Sequence, residues 1–425
     1  MRPNRLAEAA QFLTFLAMEL SHSAVASEAE ATREAVTALL RDLIATPSLS
    51  TAEGDVTARL AHEARELGAD EVTIDERGNF VARFGSGSRT LLFDSHIDTV
   101  DIGDRAEWAR DPFDPYMERS ATGNIIHGRG ASDNKAGIAS MLHGAALWRR
   151  LDPSDDVSLW VVGSVQEEAC DGLSLYELLM SGLIPRPEAV VLGEATNGQV
   201  FRGNRGRIEA YVRVHGATCH ASAPERGSNP VTTLAPVIAQ IDRLNNRLTS
   251  DSFLGKGTIA LTKIECETPS FNAVPGSATL YVDRRLSQEE TPQGALEELR
   301  AIVAELGIEA DVEVMHYESV SFTGARMQQS KEFPTWVNPA DHPLTIAGVQ
   351  ATGFTSSPRS DSSHWVFSTN GVASMGKLDI PTIGYGPANE VHAHTAHDQC
   401  PQDDLVEALR WYAAFPSLYV RAKGA

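Results

Sequence analysis

The sequence predicts an α/β protein of two domains, one inserted into the other. Three observations lead there: the chain's length, its alternation of helical and continuously apolar stretches, and a middle region where the order of elements changes. A chain of 425 residues exceeds what one hydrophobic core usually serves. In the first half, TLLF at 90–93, VSLWVVG at 157–163 and AVVL at 189–192 are unbroken apolar runs, as expected of strands covered on both faces. The middle reads IEAYVRV, a helix through VTTLAPVIAQIDRLNNRL, GTIALTKIE, ATLYVDRRL, a helix through GALEELRAIVAEL, then ADVEVMHY. That order is βαββαβ, the ferredoxin-like unit.

In chain order, residues 1–32 form an N-terminal extension, 33–207 and 318–425 the first domain, and 208–317 the insert. The opening stretch has a basic start and a small-residue AVAS, but Glu8 and Glu19 interrupt its apolar middle, so it reads as an amphipathic helix rather than a leader. A helix then runs from Arg33 to Ala45, stopped by Pro47 and Ser48. After the insert, WVFSTNG at 365–371, a strand IPTIGYG at 380–386 and a helix DDLVEALRWYAAF return the chain to the first domain.

With 36 basic against 57 acidic side chains, the formal net charge of −21 disfavours nucleic acid and anionic membrane surfaces as partners. No segment has the unbroken apolar length of a membrane span. Cys170, Cys219, Cys266 and Cys400 are dispersed without a CxxC pair, which argues against a disulfide framework or a thiolate zinc site and for a reducing, cytoplasmic setting.

The chemistry concentrates at strand ends. TLLFDS leads to His96 and Asp98, VSLWVVGSVQ to Glu167 and Glu168, AVVLG to Glu194, and IPTIGYGPANEVHA to His394. Ligands of open parallel sheets gather beyond the carboxyl ends of strands, so groups distant in sequence can converge there. Asp133, in GRGASDNKAG, adds a carboxylate at a loop leading into a helix. One such acid is more often a helix cap or an ion-pair partner, and His96 with Asp98 alone is evenly balanced between functional and structural readings. Five groups at buried ends have no evident structural reason. Two imidazoles with several carboxylates and no thiolate suit Zn²⁺, Mn²⁺ or Co²⁺. Two such ions roughly 3.5–4 Å apart can share a carboxylate and activate a water, and Glu167, beside a proposed ligand, is placed to act as base.

HIDTV at 96–100, GRGASDNKAG at 128–137, QEE at 166–168, GEAT at 193–196 and AHT at 393–395 resemble the metal-site motifs of the M20 metallopeptidases. That group includes acetylornithine deacetylase, succinyl-diaminopimelate desuccinylase, aminoacylase and carboxypeptidase G, and the resemblance covers nearly the whole chain after residue 33. VQEEACDGL, VFRGNRGRIEA, CHASAPERGSNP and GYGPANEVHAH look nearest to its selenium-metabolism-associated hydrolase branch. The resemblance implies a zinc-peptidase-like catalytic domain on a mixed sheet, with the insert serving as lid and dimerisation domain. His96 and Glu194 would bind one zinc, Glu168 and His394 the other, and Asp133 would bridge both. Asp98 would orient His96, Glu167 would be the general base, and the Asp133–Asn134 peptide would be cis. His220, reaching a neighbouring subunit, would stabilise an oxyanion, Asn272 would assist, and Arg205 and Arg284 would hold a substrate carboxylate, although an internal salt bridge competes for Arg284. The implied reaction is hydrolysis of an amide in a small N-acyl amino acid, dipeptide or N-carbamoyl compound by metal-activated water, in a homodimer. The sequence departs from the usual pattern at Asp398, where glutamate is common, and at Asn134-Lys135-Ala136.

Other classes fit less well. Gly371 to Lys377 nearly spells a phosphate loop, but Leu378 stands where Ser or Thr must reach Mg²⁺. No GxSxG elbow occurs. A catalytically inactive metal-binding scaffold or carrier of the same fold is the remaining alternative, and the retained Glu167 argues against it.

Overall fold

In the computed structural model, which describes residues 20–121, 123–152 and 155–424, a nine-stranded mixed sheet organises the molecule. Four strands at its centre are parallel, in the order Val157–Ser164, Arg89–His96, Ala189–Leu192 and Thr382–Gly384. Antiparallel strands flank them: Glu71–Ile74 and Phe80–Phe84 on one side, Val200–Asn204 and Trp336–Val337 on the other. The mixed α/β class is therefore borne out.

The apolar runs work as two-faced strands. Leu91 and Phe93 face one core, with Trp148 from the helix Lys135–Leu151 and Trp411 and Tyr412 from the helix Gln402–Gly424. Leu92, between them, faces a second core with Trp160, Leu175 and Trp365. Alternation along the pleat, applied to an all-apolar run, thus covers both faces of the sheet.

The insert forms a separate antiparallel sheet, in the order Thr258–Glu267, Ser277–Leu286, Gly206–His215, Asp311–Val314. Its helices, Pro230–Arg247 and Pro292–Glu305, start where the sequence supplies caps. Asn229 accepts from Val231 N, Thr291 accepts from Gly294 N, and a proline follows each cap. Leu234, Val237 and Ile241, and Leu296, Leu299 and Val303, turn apolar stripes onto Ile208, Ala210 and Val212 of the central strand.

Several boundaries differ from expectation. The first helix runs His22–Ile44, so a division at residue 32 would cut it. Val25 and Ala29 are fully buried in the main core, which is why the extension continues as helix. The rest of the expected N-terminal amphipathic helix lies outside the described residues. The strand expected at 380–386 is only Thr382–Gly384, and Gly386 just beyond it packs so closely that a Cβ there would lie 2.2 Å from Glu194 O. WVFSTNG contributes only Trp365 to a strand, Ser362–Trp365. Gly371 to Lys377 leads into a π-helix, Val372–Lys377, whose Lys377 Nζ donates to Gln329 Oε1 at 2.6 Å, so it is not a phosphate loop. Nor does the insert end cleanly at 317: a hairpin of His316–Val320 and Arg326–Ser330 follows, and Glu332–Phe333 pairs back onto Gly206–His215.

One buried group gives the fold a measurable pH dependence. His143, on the helix Lys135–Leu151, is 2% exposed with Nε2 3.5 Å from Glu63 Oε1. Burial pushes its pKa down to about 4, and Glu63 only partly opposes this. The unfolded chain therefore takes up this proton first as pH falls. The stability it contributes is complete above the unfolded value of roughly 6.5 and is lost on descending to about 4. In urea titrations between those limits, the wild type is expected to lose on the order of 2 kcal/mol more than His143→Gln. Parallel curves for the two proteins would acquit His143.

Candidate metal centre

Strand register brings the expected ligands to one edge of the sheet. His96 pairs with Ser164, placing Glu167 and Glu168 just beyond the same edge, and Asp94 pairs with Leu192, which sets Glu194 level with His96. Asp133 arrives on the loop before the helix Lys135–Leu151. That helix start packs tightly on the strand ends: a Cβ on Gly137 would lie 2.3 Å from Gly193 O and 2.9 Å from Ser95 Oγ. The Asp133–Asn134 peptide is cis.

The side chains form one continuous chain. Glu194 Oε1 lies 3.7 Å from His96 Nε2, which lies 2.9 Å from Asp133 Oδ1. Asp133 Oδ2 lies 3.2 Å from His394 Nε2, itself 2.9 Å from Glu168 Oε2. The two oxygens of Asp133 thus face different imidazoles. His96, Asp133 and Glu168 each offer a donor atom within 4.8 Å of the others. His96 Nδ1 is 3.0 Å from the Asp98 carbonyl and 3.4 Å from its carboxylate, a partner that keeps Nδ1 as donor and leaves Nε2 for the acids.

The site is short of positive charge. Burial raises the pKa of Glu167 well above the carboxylate range and that of Glu194 to about 8, and neighbouring acids add to both. Glu168 is raised for the same reason. Burial would also raise Asp133, but hydrogen bonds from His394 and His96 hold it below its ordinary value. Asp133 and Glu168 lift His394 to about 10. Burial alone would depress His96, yet Glu194, Glu167, Asp133 and Asp98 together raise it. Imidazolium charge is being drawn in where cations are wanted. Glu168 Oε1, buried without a hydrogen-bond partner, completes a donor set that fits divalent ions.

Two sets of supporting contacts escaped the sequence reading, which had Asp98 only as the residue that orients His96. Asp98, besides meeting His96, accepts from Glu167 N at 3.1 Å, Glu168 N at 3.2 Å and Ser50 Oγ at 2.6 Å, so one carboxylate fixes a ligand and the loop of the proposed base. Asp398 accepts from Gly130 N, Ser132 N and Ser132 Oγ at 2.7–2.8 Å and pairs with Arg129 at 3.0 Å, tying the His394 segment to the Asp133 loop. The unusual residue at 398 was the only signal, and it carried no direction.

The insert's expected contributors are not at this cluster within one chain. His220 and Asn272 are exposed neighbours, joined through Ala221 N to Asn272 O at 2.8 Å, and neither hydrogen-bonds to the cluster. Arg284 is corrected: 1% exposed, it pairs with Glu290 and lies 3.4 Å from Glu298, so its fork is occupied, and Asp283 pairs with Arg285 instead. Arg205 remains half-buried, with Nε donating to Leu254 O at 2.8 Å and no ion pair among the described residues. Arg202, missed from sequence, stacks on Phe253 at 3.7 Å and likewise has no ion pair there.

Comparison with known proteins agrees with this geometry. The peptidase dimerisation domain of the M20 family matches residues 202–311. The uncharacterized protein YgeY of Escherichia coli K12 is 42% identical over 384 residues, covering 90% of this chain and 93% of its own. Succinyl-diaminopimelate desuccinylase of Bordetella petrii is 30% identical over 295 residues, covering 66% and 74%. The Bacillus subtilis YXEP protein, described as a dinuclear metal binding peptidase from the M20 family, superposes with a TM-score of 0.67 at 15% identity over 93% of this chain and 100% of its own. The chain belongs to the M20 family, and it is a metal-dependent hydrolase acting on amide bonds.

Removing the Asp398 carboxylate strands Arg129 and frees three donors of the Asp133 loop. Asp398→Ala is expected to cost about 3 kcal/mol in stability and to lower bound metal, measured by denaturation and elemental analysis. Full metal content in that variant would separate Asp398 from the metal centre.

Proposed function

We propose that the protein hydrolyses the amide bond of a small N-acyl amino acid, dipeptide or N-carbamoyl compound, using two divalent ions, zinc before cobalt or manganese. His96 and Glu194 would hold one ion, Glu168 and His394 the other, with Asp133 between. The observation that carries this reading is the Asp133 carboxylate, whose two oxygens face two imidazoles in a cluster short of positive charge. Ions bound there would supply a Lewis acid for the scissile carbonyl and lower the pKa of a coordinated water.

The chain's own residues do the rest. Asp98 orients His96 and fixes the backbone of Glu167 and Glu168. Glu167, 8% exposed, accepts the proton of the attacking water and returns it to the leaving nitrogen. Burial raises its proton affinity, which suits a group that must hold a proton between two steps. Arg205, joined by Arg202, is the better-supported receptor for a substrate carboxylate, because neither guanidinium makes an ion pair among the described residues, Asp251 reaching Arg205 only as a more distant charge.

No helix among the described residues is long and apolar enough to cross a membrane, and the four cysteines are free, which fits a cytoplasmic enzyme. The match to a dimerisation domain supports a homodimer, in which the exposed His220 and Asn272 would meet the neighbouring site. Multi-angle light scattering should give twice the chain mass; an active monomer would rule out that cross-subunit role.

Glu167→Ala should retain close to two equivalents of divalent metal and lose roughly 10²- to 10⁴-fold in turnover. The assay is a panel of N-acyl amino acids, dipeptides and N-carbamoyl compounds, each with and without a free carboxylate, under Zn, Co and Mn. Turnover unchanged in Glu167→Ala discards the base assignment. Metal binding without activity on any member favours the inactive scaffold.

A further inference from the structure

The loop Gln166–Asp171, which carries Glu167 and Glu168, is gripped from outside the catalytic sheet. Gln166 is fully buried with φ at 59°, a left-handed conformation uncommon for a residue with a side chain. Its N–H donates to Glu53 Oε1 at 3.1 Å. Its Oε1 accepts from Tyr317 Oη at 2.9 Å and from Ser319 Oγ at 2.6 Å. Both hydroxyls come from the hairpin of His316–Val320 and Arg326–Ser330.

That hairpin is rooted in the insert and footed on the catalytic side. At its root, Met315 N donates to Glu209 O at 2.8 Å and Glu332 pairs with Ile208, both across the strand Gly206–His215. At its tip, Thr323 Oγ1 donates to Glu76 O at 2.6 Å, and the Phe322 ring lies against Gly78, where a Cβ would meet it at 2.3 Å. The far end of the loop is held from the same side. Arg207, on the insert's central strand, donates to Asp171 Oδ1 at 2.6 Å, and Gln329 of the hairpin donates to Asp171 O at 3.3 Å.

We propose that this hairpin is a positioning lever: Tyr317 and Ser319, acting through Gln166, set the placement of Glu167, so the position of the insert is transmitted to the proton-transferring group. The inference rests on Glu167 being the base. Tyr317 and Ser319 are positioning residues whose hydroxyls act on the catalytic loop through a neighbouring side chain. A left-handed residue persists only where its surroundings over-determine it, and here two hydroxyls and Glu53 do so. Proton transfer is steeply sensitive to sub-ångström placement, whereas substrate affinity is not carried by these groups.

The test is the double variant Tyr317→Phe/Ser319→Ala, which removes both donors and keeps the ring, with Glu167→Gln measured beside it. The lever predicts a roughly 10- to 100-fold fall in kcat with KM and metal stoichiometry unchanged, and recovery of turnover when Ser319→Thr restores a hydroxyl. Wild-type kcat in the double variant, with Glu167→Gln inactive, overturns the lever and leaves the base assignment standing. Turnover retained in Glu167→Gln overturns the base assignment, and the lever falls with it. A rise in KM that accounts for the whole loss also overturns the lever. Should the double variant unfold, Tyr317→Phe alone decides by the same division between kcat and KM.

Discussion

Asp133 can sit between His96 and His394 only because both of its oxygens have cationic or metal-ready partners. Four carboxylates, with Glu167 and Glu194 buried and Asp133 and Glu168 half-buried, gather at the end of one sheet, where an unpaired charge is costly. Charge balance is therefore the constraint on which the rest depends. Burial raises the proton affinity of Glu167, Glu168 and Glu194, and the neighbouring acids raise that of both imidazoles. Divalent cations satisfy the same oxygens without requiring the acids to be neutral, and the fold holds the donors in place for them.

The scaffold meets that requirement by dividing the labour. Parallel register sets His96, Glu194 and the 166–168 loop level with one another, so their convergence follows from hydrogen bonding between strands rather than from loop conformation. Asp133 and His394, two expected ligands that do not follow directly from the parallel strands, are tied together by Asp398, which reaches from the His394 segment to the backbone of 130–132. Rigidity is thus supplied by the sheet where it is available and by a buried carboxylate where it is not.

How far this was legible in the sequence follows from the same division. Continuous apolar runs mark strands covered on both faces, and each is followed directly by its functional residue, so the sheet and the candidate ligands could be read from local pattern. The ferredoxin-like insert was legible because its strands and helices keep their ordinary periods and its helices carry Asn229 and Thr291 as caps. Features that depend on partners distant in sequence were not. Val25 and Ala29 look like an exposed extension until the main core is assembled around them. Arg284 looks like a carboxylate receptor until Glu290 folds against it. The hairpin after residue 315 carries few apolar residues to mark it, and its partners, Glu209 and Gln166, are far away in sequence.

The paired Arg284 also bears on substrate selection. A guanidinium sealed against Glu290 and Glu298 stabilises the turn after Leu286 but has no fork to offer, whereas Arg202 and Arg205 lie half-buried and make no ion pair among the described residues, Asp251 acting on Arg205 only at longer range. Phe253, from the insert, covers one of the two, so the proposed receptor would draw on both domains. On these proposals, substrate recognition and the placement of Glu167 would share a dependence on where the insert sits, the first through Phe253 and Leu254, the second through Tyr317 and Ser319. A substrate that bridges the arginines and the metal centre would hold the insert in the position that also sets the base.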